Sequence, residues 1–282
     1  MPLAGGQART LVSGGGTVQF QGAGPLWSPD GSKIVFPSDR GGTQDIWVVD
    51  AAGGAPRQLT NWPGFEYGPV WSGDGTAVYF TADRDTRLGD VWKVAASGGE
   101  PVRVTNNGTM GSSSLVSRAG VSDLFGGTIN PSRGQLGFSR VRPDGRMNVV
   151  WDRTNAYPVA ISPSGDSVAA MVEQPSGKIQ MMILPAAGGT GRTILGADDA
   201  GFGFGSWSSD GKSMLYGTSV NGANDLGLLT LTDGTKRRLT TTTESEEGAE
   251  FTPDAKTVVF RRSATVQRLY AAELSRVLAA PR

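Results

Sequence analysis

The chain repeats itself. Leu26-Trp27-Ser28-Pro29-Asp30-Gly31 runs into Lys33-Ile34-Val35-Phe36, and one period later Val70-Trp71-Ser72-Gly73-Asp74-Gly75 runs into Ala77-Val78-Tyr79-Phe80. The pattern returns at Ser206-Trp207-Ser208-Ser209-Asp210-Gly211 and at Glu250-Phe251-Thr252-Pro253-Asp254, with weaker copies beginning at Ile129-Asn130-Pro131 and Ile161-Ser162-Pro163. A unit that recurs every 40–50 residues or so cannot bury its apolar face alone. It must stack on its neighbours, in a line or in a ring.

Each copy reads as strands. A short apolar strand enters a Pro/Ser-Asp-Gly turn, where the aspartate bonds backbone and the glycine takes positive φ. A β-branched and aromatic strand follows, and a polar loop leads to a third strand such as Asp45-Ile46-Trp47-Val48-Val49 or Asp90-Val91-Trp92-Lys93-Val94. Gly-Gly pairs at 53–54, 98–99 and 188–189 then open a fourth strand. Four strands per repeat is the unit of a β-propeller blade. The expected architecture is therefore all-β: a six-bladed propeller of four-stranded antiparallel blades occupying residues 1–282 as a single domain. The 42 glycines, against roughly 20 for average usage, belong to turns repeated around the ring.

Three irregularities carry expectations of their own. The surplus at Asn106–Asp123 reads as a long surface loop, and the short spacing between Pro131 and Pro163 predicts a three-stranded third blade with Pro143-Asp144-Gly145 joining its second and third strands. The last repeat runs out after Leu274, where its fourth strand should begin. Two segments compete for that place: residues 7–12, from the stretch Ala4–Leu11 that matches the outer-strand segment Ala52–Leu59 and would close the ring, and Ser275–Leu278. Closure by the N-terminal strand is the preferred reading, because it hides strand edges.

Composition limits the chemistry. The chain has no cysteine and no histidine, which excludes disulfides, thiolate nucleophiles, sulfur-ligated zinc, a Ser-His-Asp triad and most transition-metal sites. No Gly-x-Ser-x-Gly elbow is present, and Gly201–Gly205 lacks both the spacing of a nucleotide loop and a Walker lysine. Twenty-six basic residues balance 26 acidic ones, so no net field draws the chain to nucleic acid, and no apolar run of about 20 residues inserts into a membrane. The N-terminus lacks the pattern of a signal peptide. The expectation is a non-enzyme, and a monomer.

Trp27-Ser28-Pro29-Asp30-Gly31, Ser38-Asp39-Arg40, Asp45-Ile46-Trp47 and Gly53-Gly54 through Leu59-Thr60 together resemble the TolB-type propeller repeat, and the second repeat carries most of it again with Asp83-Arg84, Asp90-Val91-Trp92 and Gly98-Gly99. The resemblance covers nearly the whole chain and is strongest in the first, second and fifth repeats. It implies a binding or gating scaffold, with catalysis, where there is any, in an attached domain. It also implies an extracytoplasmic location.

The recurring Asp39, Asp45, Asp83 and Asp90 are expected to bond loop backbone rather than hold a cation, and Trp27, Trp71 and Trp207 to pack between blades. Charge is distributed unevenly over the repeat. The loops that join one blade to the next carry Glu66, Asp123, Asp198, Asp199, Glu244, Glu246, Glu247 and Glu250 against the single base Arg118, together with Trp62, Phe65, Tyr67, Phe125, Phe202 and Phe204. These loops meet at one mouth of a propeller channel. The candidate site is therefore an acidic, aromatic mouth that engages a protein or peptide partner, cationic if the acid field selects it. No cofactor is expected; calcium held by Asp198, Asp199 and channel oxygens suits the ligand type but has no ligand-spacing motif behind it. Two other readings stay open: a gating propeller separated from a hydrolase, and a structural scaffold without a ligand.

Overall fold

The computed structural model describes residues 9–13, 25–84, 88–108, 110–130, 134–197, 205–220, 223–241, 244–252, 254–255, 257–263 and 268–273. Twenty-four strands form four-stranded antiparallel sheets, each running outward from the ring's axis. The first blade is β2 (Leu26–Trp27), β3 (Lys33–Ser38), β4 (Asp45–Asp50) and β5 (Arg57–Gln58); the second is β6 (Glu66–Trp71), β7 (Ala77–Ala82), β8 (Asp90–Ala95) and β9 (Val102–Arg103). The third is β10 (Met110–Arg118), β11 (Val121–Ile129), β12 (Leu136–Val141) and β13 (Met147–Trp151). The fourth is β14 (Ala156–Ile161), β15 (Ser167–Glu173), β16 (Ile179–Pro185) and β17 (Arg192–Leu195), and the fifth β18 (Gly205–Trp207), β19 (Ser213–Val220), β20 (Ala223–Thr230) and β21 (Lys236–Arg238).

The expectation of six blades is corrected by this topology. Five blades, each of four strands consecutive in the chain, follow one another. Between the fifth and the first stands a composite sheet, with β22 (Ser245–Phe251), β23 (Thr257–Ser263) and β24 (Arg268–Glu273) from one end of the chain and β1 (Arg9–Ser13) from the other. Arg9 lies opposite Ala271 and Ser13 opposite Arg268. The rival segment 275–278 lies outside the described residues.

The third blade departs from its expected form as well. Its strands number four, not three, because Asn106–Asp123 is not a surface loop: most of it is β10 and the start of β11, which pair from Met110↔Thr128 to Arg118↔Val121. Pro143-Asp144-Gly145 accordingly joins the third and fourth strands, and Asn130 begins the loop between the second and third. Serine, glycine and threonine made this hairpin look loop-like. Its pairing is driven by the apolar positions among them, Met110, Leu115, Leu124 and Phe125, all 3% exposed or less.

The repeated turn works as a unit. In Ser28–Gly31, Ser72–Gly75, Ser162–Gly165 and Ser208–Gly211 the glycine N–H donates to the serine carbonyl, and φ is 71°, 73°, 74° and 74°. The serine hydroxyl of each accepts the N–H that opens the next strand, from Lys33, Ala77 and Ser213 at 2.9 Å and from Ser167 at 3.1 Å. Between sheets lie apolar seams that run continuously round the ring. Val35, Ile46 and Val48 of the first blade meet Trp71, Val78 and Phe80 of the second, and Leu11, Val12 and Val259 of the composite sheet meet Ile34 and Phe36 of the first. Inner strands start at the loop end of the channel and finish at the turn end.

Candidate functional site

The loop end is built from the starts of the inner strands and the connections that enter them. Tyr67 and Tyr157 occupy the same place in their blades, four residues before the last residue of β6 and β14, and a β-bulge follows each in the register. Glu247 has that place in β22. The bulge adds a residue to the inner strand and re-aims the side chains before it. Tyr157 is 38% exposed although it lies on an innermost strand, so it faces the channel. Phe65 is 55% exposed and stacks on Tyr67, with ring centroids 6.0 Å apart and planes 24° from parallel. Burial, with the carboxylate of Asp83 next in weight, pushes the Tyr67 phenol up from its ordinary range.

Trp62 belongs to this end but is partly structural. It meets Trp92 edge-on at 4.9 Å, lies 5.9 Å from Phe80 and is covered by the Arg84 guanidinium at 4.4 Å. Several other expected mouth residues do not stand there. Phe125 is fully buried on β11, in the seam between the third and fourth blades. Glu66 and Glu246 are 1% and 0% exposed on inner strands. Glu244, half-buried in the connection to β22, and Glu247, opposite Arg261 in register, do lie at the loop end. Asp198, Asp199, Phe202 and Phe204 lie outside the described residues. Among the described residues the loop end carries Asp39, Asp83, Asp152 and Glu244 interspersed with Arg40, Arg84, Arg153 and Lys178. Beside Phe65, Tyr67 and Tyr157 the charge there is therefore of both signs.

The buried carboxylates form a repeated device. The aspartate that opens the third strand, Asp90 in the second blade and Asp225 in the fifth, binds an outer-strand arginine, Arg103 or Arg238. It also accepts from a threonine hydroxyl, that of Thr105 at 2.9 Å or Thr240 at 3.4 Å. The same hydroxyls accept the N–H of Val91 and Leu226 and so fix the third strand to the end of the fourth. In the first blade Asp45 takes the aspartate position and Thr60 the threonine position, but Gln58 stands where the arginine would be. There the threonine hydroxyl donates to Glu66 Oε2 at 3.1 Å instead. Burial, followed by the facing Asp45 carboxyl, pushes the pKa of Glu66 up to about 9.

At the turn end Arg118 reaches from the third blade past the fourth, donating to the carbonyls of Trp207 at 2.9 Å and Ser208 at 3.4 Å. Glu250 accepts the N–H of Trp27 through Oε2 at 2.7 Å. Burial raises Glu250 to about 8, with Arg118 pulling the other way. Arg118 thus links the third blade to the fifth at the turn end, and Glu250 links the composite sheet to the first blade. Sequence reading missed Tyr157 and the links that Arg118 and Glu250 make at the turn end. The fixed distance from Tyr67 to the repeat tryptophan is the signal that would have found Tyr157, since Ile161 takes the place of that tryptophan.

Among the described residues no group of three or more Asp or Glu is placed to hold a metal ion, and no helix is long and apolar enough to cross a membrane. Comparison with known proteins agrees with the geometry. Residues 4–130 match the family described as the TolB beta propeller domain. An uncharacterized protein of Agrobacterium fabrum is 32% identical over 107 residues, 38% of this chain and 36% of that protein. The Tol-Pal system protein TolB of Anaeromyxobacter dehalogenans is 42% identical over 43 residues, 15% of this chain and 10% of that protein. The chain thus spans about a third or less of these relatives.

Among solved structures, TolB of Acinetobacter baumannii superposes with a TM-score of 0.65 at 14% identity, covering 89% of this chain and 63% of that one. A gluconolactonase of Xanthomonas campestris gives 0.68 at 15%, covering 96% and 90%. An oligogalacturonate lyase of Vibrio parahaemolyticus gives 0.64 at 15%, covering 95% and 98%. At such identities the likeness is one of fold alone.

Proposed function

Because the chain is a TolB-like β-propeller, we propose that it is a non-catalytic binding module, monomeric and extracytoplasmic, that takes a protein or peptide partner at the loop end of its channel. The observation that supports this is the exposed Phe65–Tyr67 stack beside the channel, with Tyr157 exposed on an inner strand. Rigid aromatics with one polar tip give large contact area at low ordering cost, which is why they recur as anchors at interfaces. With mixed charge around them, the partner is selected by an apolar or aromatic anchor rather than by an acid field. The absence of histidine and cysteine, and of a nucleophile elbow, favours binding over catalysis. No cofactor is part of this reading.

The test compares baits. F65A/Y157A should recover at least about tenfold less of any partner than wild type, since each anchor truncation costs more than about 1 kcal/mol. V102A/V149A, on exposed outer strands, is the control and should match wild type. Equal recovery by both baits rejects the loop end as the site. Trp62 is left intact, because its contacts with Phe80 and Trp92 would confound binding with stability.

A further inference from the structure

The first blade departs from the second and fifth in one residue. Asp90 and Asp225 each face an arginine, whereas Asp45 faces Gln58, which donates Nε2–H to Oδ2 at 2.9 Å. The threonine hydroxyl that satisfies the other oxygen of Asp90 and Asp225 is turned to Glu66 in this seam. Asp45 Oδ1 is thereby left fully buried with no donor unless the Glu66 carboxyl supplies one. Glu66 is itself 1% exposed and faces Asp45. Two buried carboxylates side by side with no guanidinium between them cannot both ionise.

We propose that Asp45 and Glu66 share one proton across the seam between the first two blades, and that this proton does the work of the missing arginine and makes the seam pH-sensitive. The proton resides on Glu66 and is donated to Asp45 Oδ1, while Asp45 Oδ2 accepts from Gln58 and Thr43. Burial and the two facing carboxylates favour that assignment, and the Thr60 hydroxyl alone pulls the other way. Asp83 faces Glu66 from the loop after β7 and adds to the repulsion, and Tyr67 adjoins it as a neutral phenol. Thr60 donates to its other oxygen, and Gln44 Nε2 donates to its backbone carbonyl at 3.1 Å. The arginines of the flanking loops are turned to rings, Arg40 over Phe36 and Trp47, Arg84 over Trp62 and Trp92. Burial and Asp45 together hold the proton up to about pH 9.

The sign of the consequence is fixed. A carboxyl whose folded pKa is raised keeps its proton while the unfolded chain loses it. The folding equilibrium is therefore weakened by up to tenfold for each pH unit above about 4.5, and the loss levels off at about pH 9. Glu250 contributes a slope of its own up to about pH 8, so the test is a difference between proteins. This inference does not rest on the binding reading, and its readout is stability alone.

Thermal unfolding of wild type, E66Q and Q58R is followed from about pH 5 to about pH 9. E66Q replaces the shared proton with an amide N–H, and Q58R restores the guanidinium. Both should gain on wild type progressively as the pH rises, the gap closing at pH 5 except for a constant offset. Curves parallel to wild type for Q58R overturn the proposal even if E66Q fails to fold. A rise in wild-type Tm at pH 8 on adding calcium chloride, absent in Q58R, also overturns it, since a metal ion and not a proton would then be the occupant.

Discussion

At the scale of single residues, the repeated turn explains why a serine and an aspartate recur two positions apart. The Asp74 carboxylate accepts from the Ser72 hydroxyl at 2.6 Å and from the Thr76 N–H at 3.0 Å, and Asp30 makes the same pair of bonds to Ser28 and Ser32. Charge-assisted bonds favour the ionised form, and the serine hydroxyl, the largest cause in both, helps lower Asp30 and Asp74 to about 2. A folded pKa below the unfolded one adds stability above the unfolded value of 3.8 that is lost as the pH falls toward 2. S28A and S72A should each lower Tm at pH 7 by a few degrees at most, because both carboxylates are exposed and solvent screens them. Their deficit should shrink as the pH is taken from about 5 to about 2, read by thermal unfolding at each pH. A deficit that stays constant would mean that the hydroxyl acts through its bond to the following strand, not through the carboxylate.

At the scale of elements, the seams show what could be read in advance and what could not. Strand, turn and strand were legible wherever Trp-Ser-x-Asp-Gly preceded a β-branched run, because that string encodes a positive φ at its glycine and an apolar alternation after it. The β10–β11 hairpin was not legible: Gly111-Ser112-Ser113-Ser114 has loop composition, and what pairs it is contact with neighbouring inner strands. The mouth was only half legible for a related reason. Phe65 and Tyr67 come together locally, whereas Glu66 and Glu246 are buried on inner strands, and a count of acids does not see which way a strand residue faces. The Asp-Arg-Thr device spans 15 residues and recurs, yet its members are inconspicuous one at a time. Its energetic worth is testable in the fifth blade. Arg238→Leu takes the guanidinium from Asp225, which is 0% exposed, and should cost about 3 kcal/mol, the low end for a broken buried pair because the arginine is one-third exposed. Denaturant unfolding measures this. A loss under about 1 kcal/mol would place the pair with ordinary surface bridges.

At the scale of the whole molecule, the ring is closed by a sheet whose strands come from opposite ends of the chain, so its integrity is a long-range property. β1 contributes only five residues, yet Leu11 and Val12 are 5% and 8% exposed and pack with Val259, Ile34 and Phe36, tying the composite sheet to the first blade. Removing β1 would uncover the edge of β24 and half of that seam together. Uncovered strand edges pair with other chains. Leu11→Ala tests the packing without touching the backbone ladder: a buried leucine truncated to alanine should cost about 2–5 kcal/mol, more where the walls of the cavity cannot collapse. Deletion of residues 1–13 tests the ladder as well, and should lower Tm well beyond L11A and bring concentration-dependent aggregation on heating. If the ring unfolds as one body, both variants keep a single transition, moved down, when followed by tryptophan fluorescence and by calorimetry. A second, unshifted transition in the deletion variant would instead mean that the consecutive blades hold together without the composite sheet, and that ring closure stabilises only its own seam.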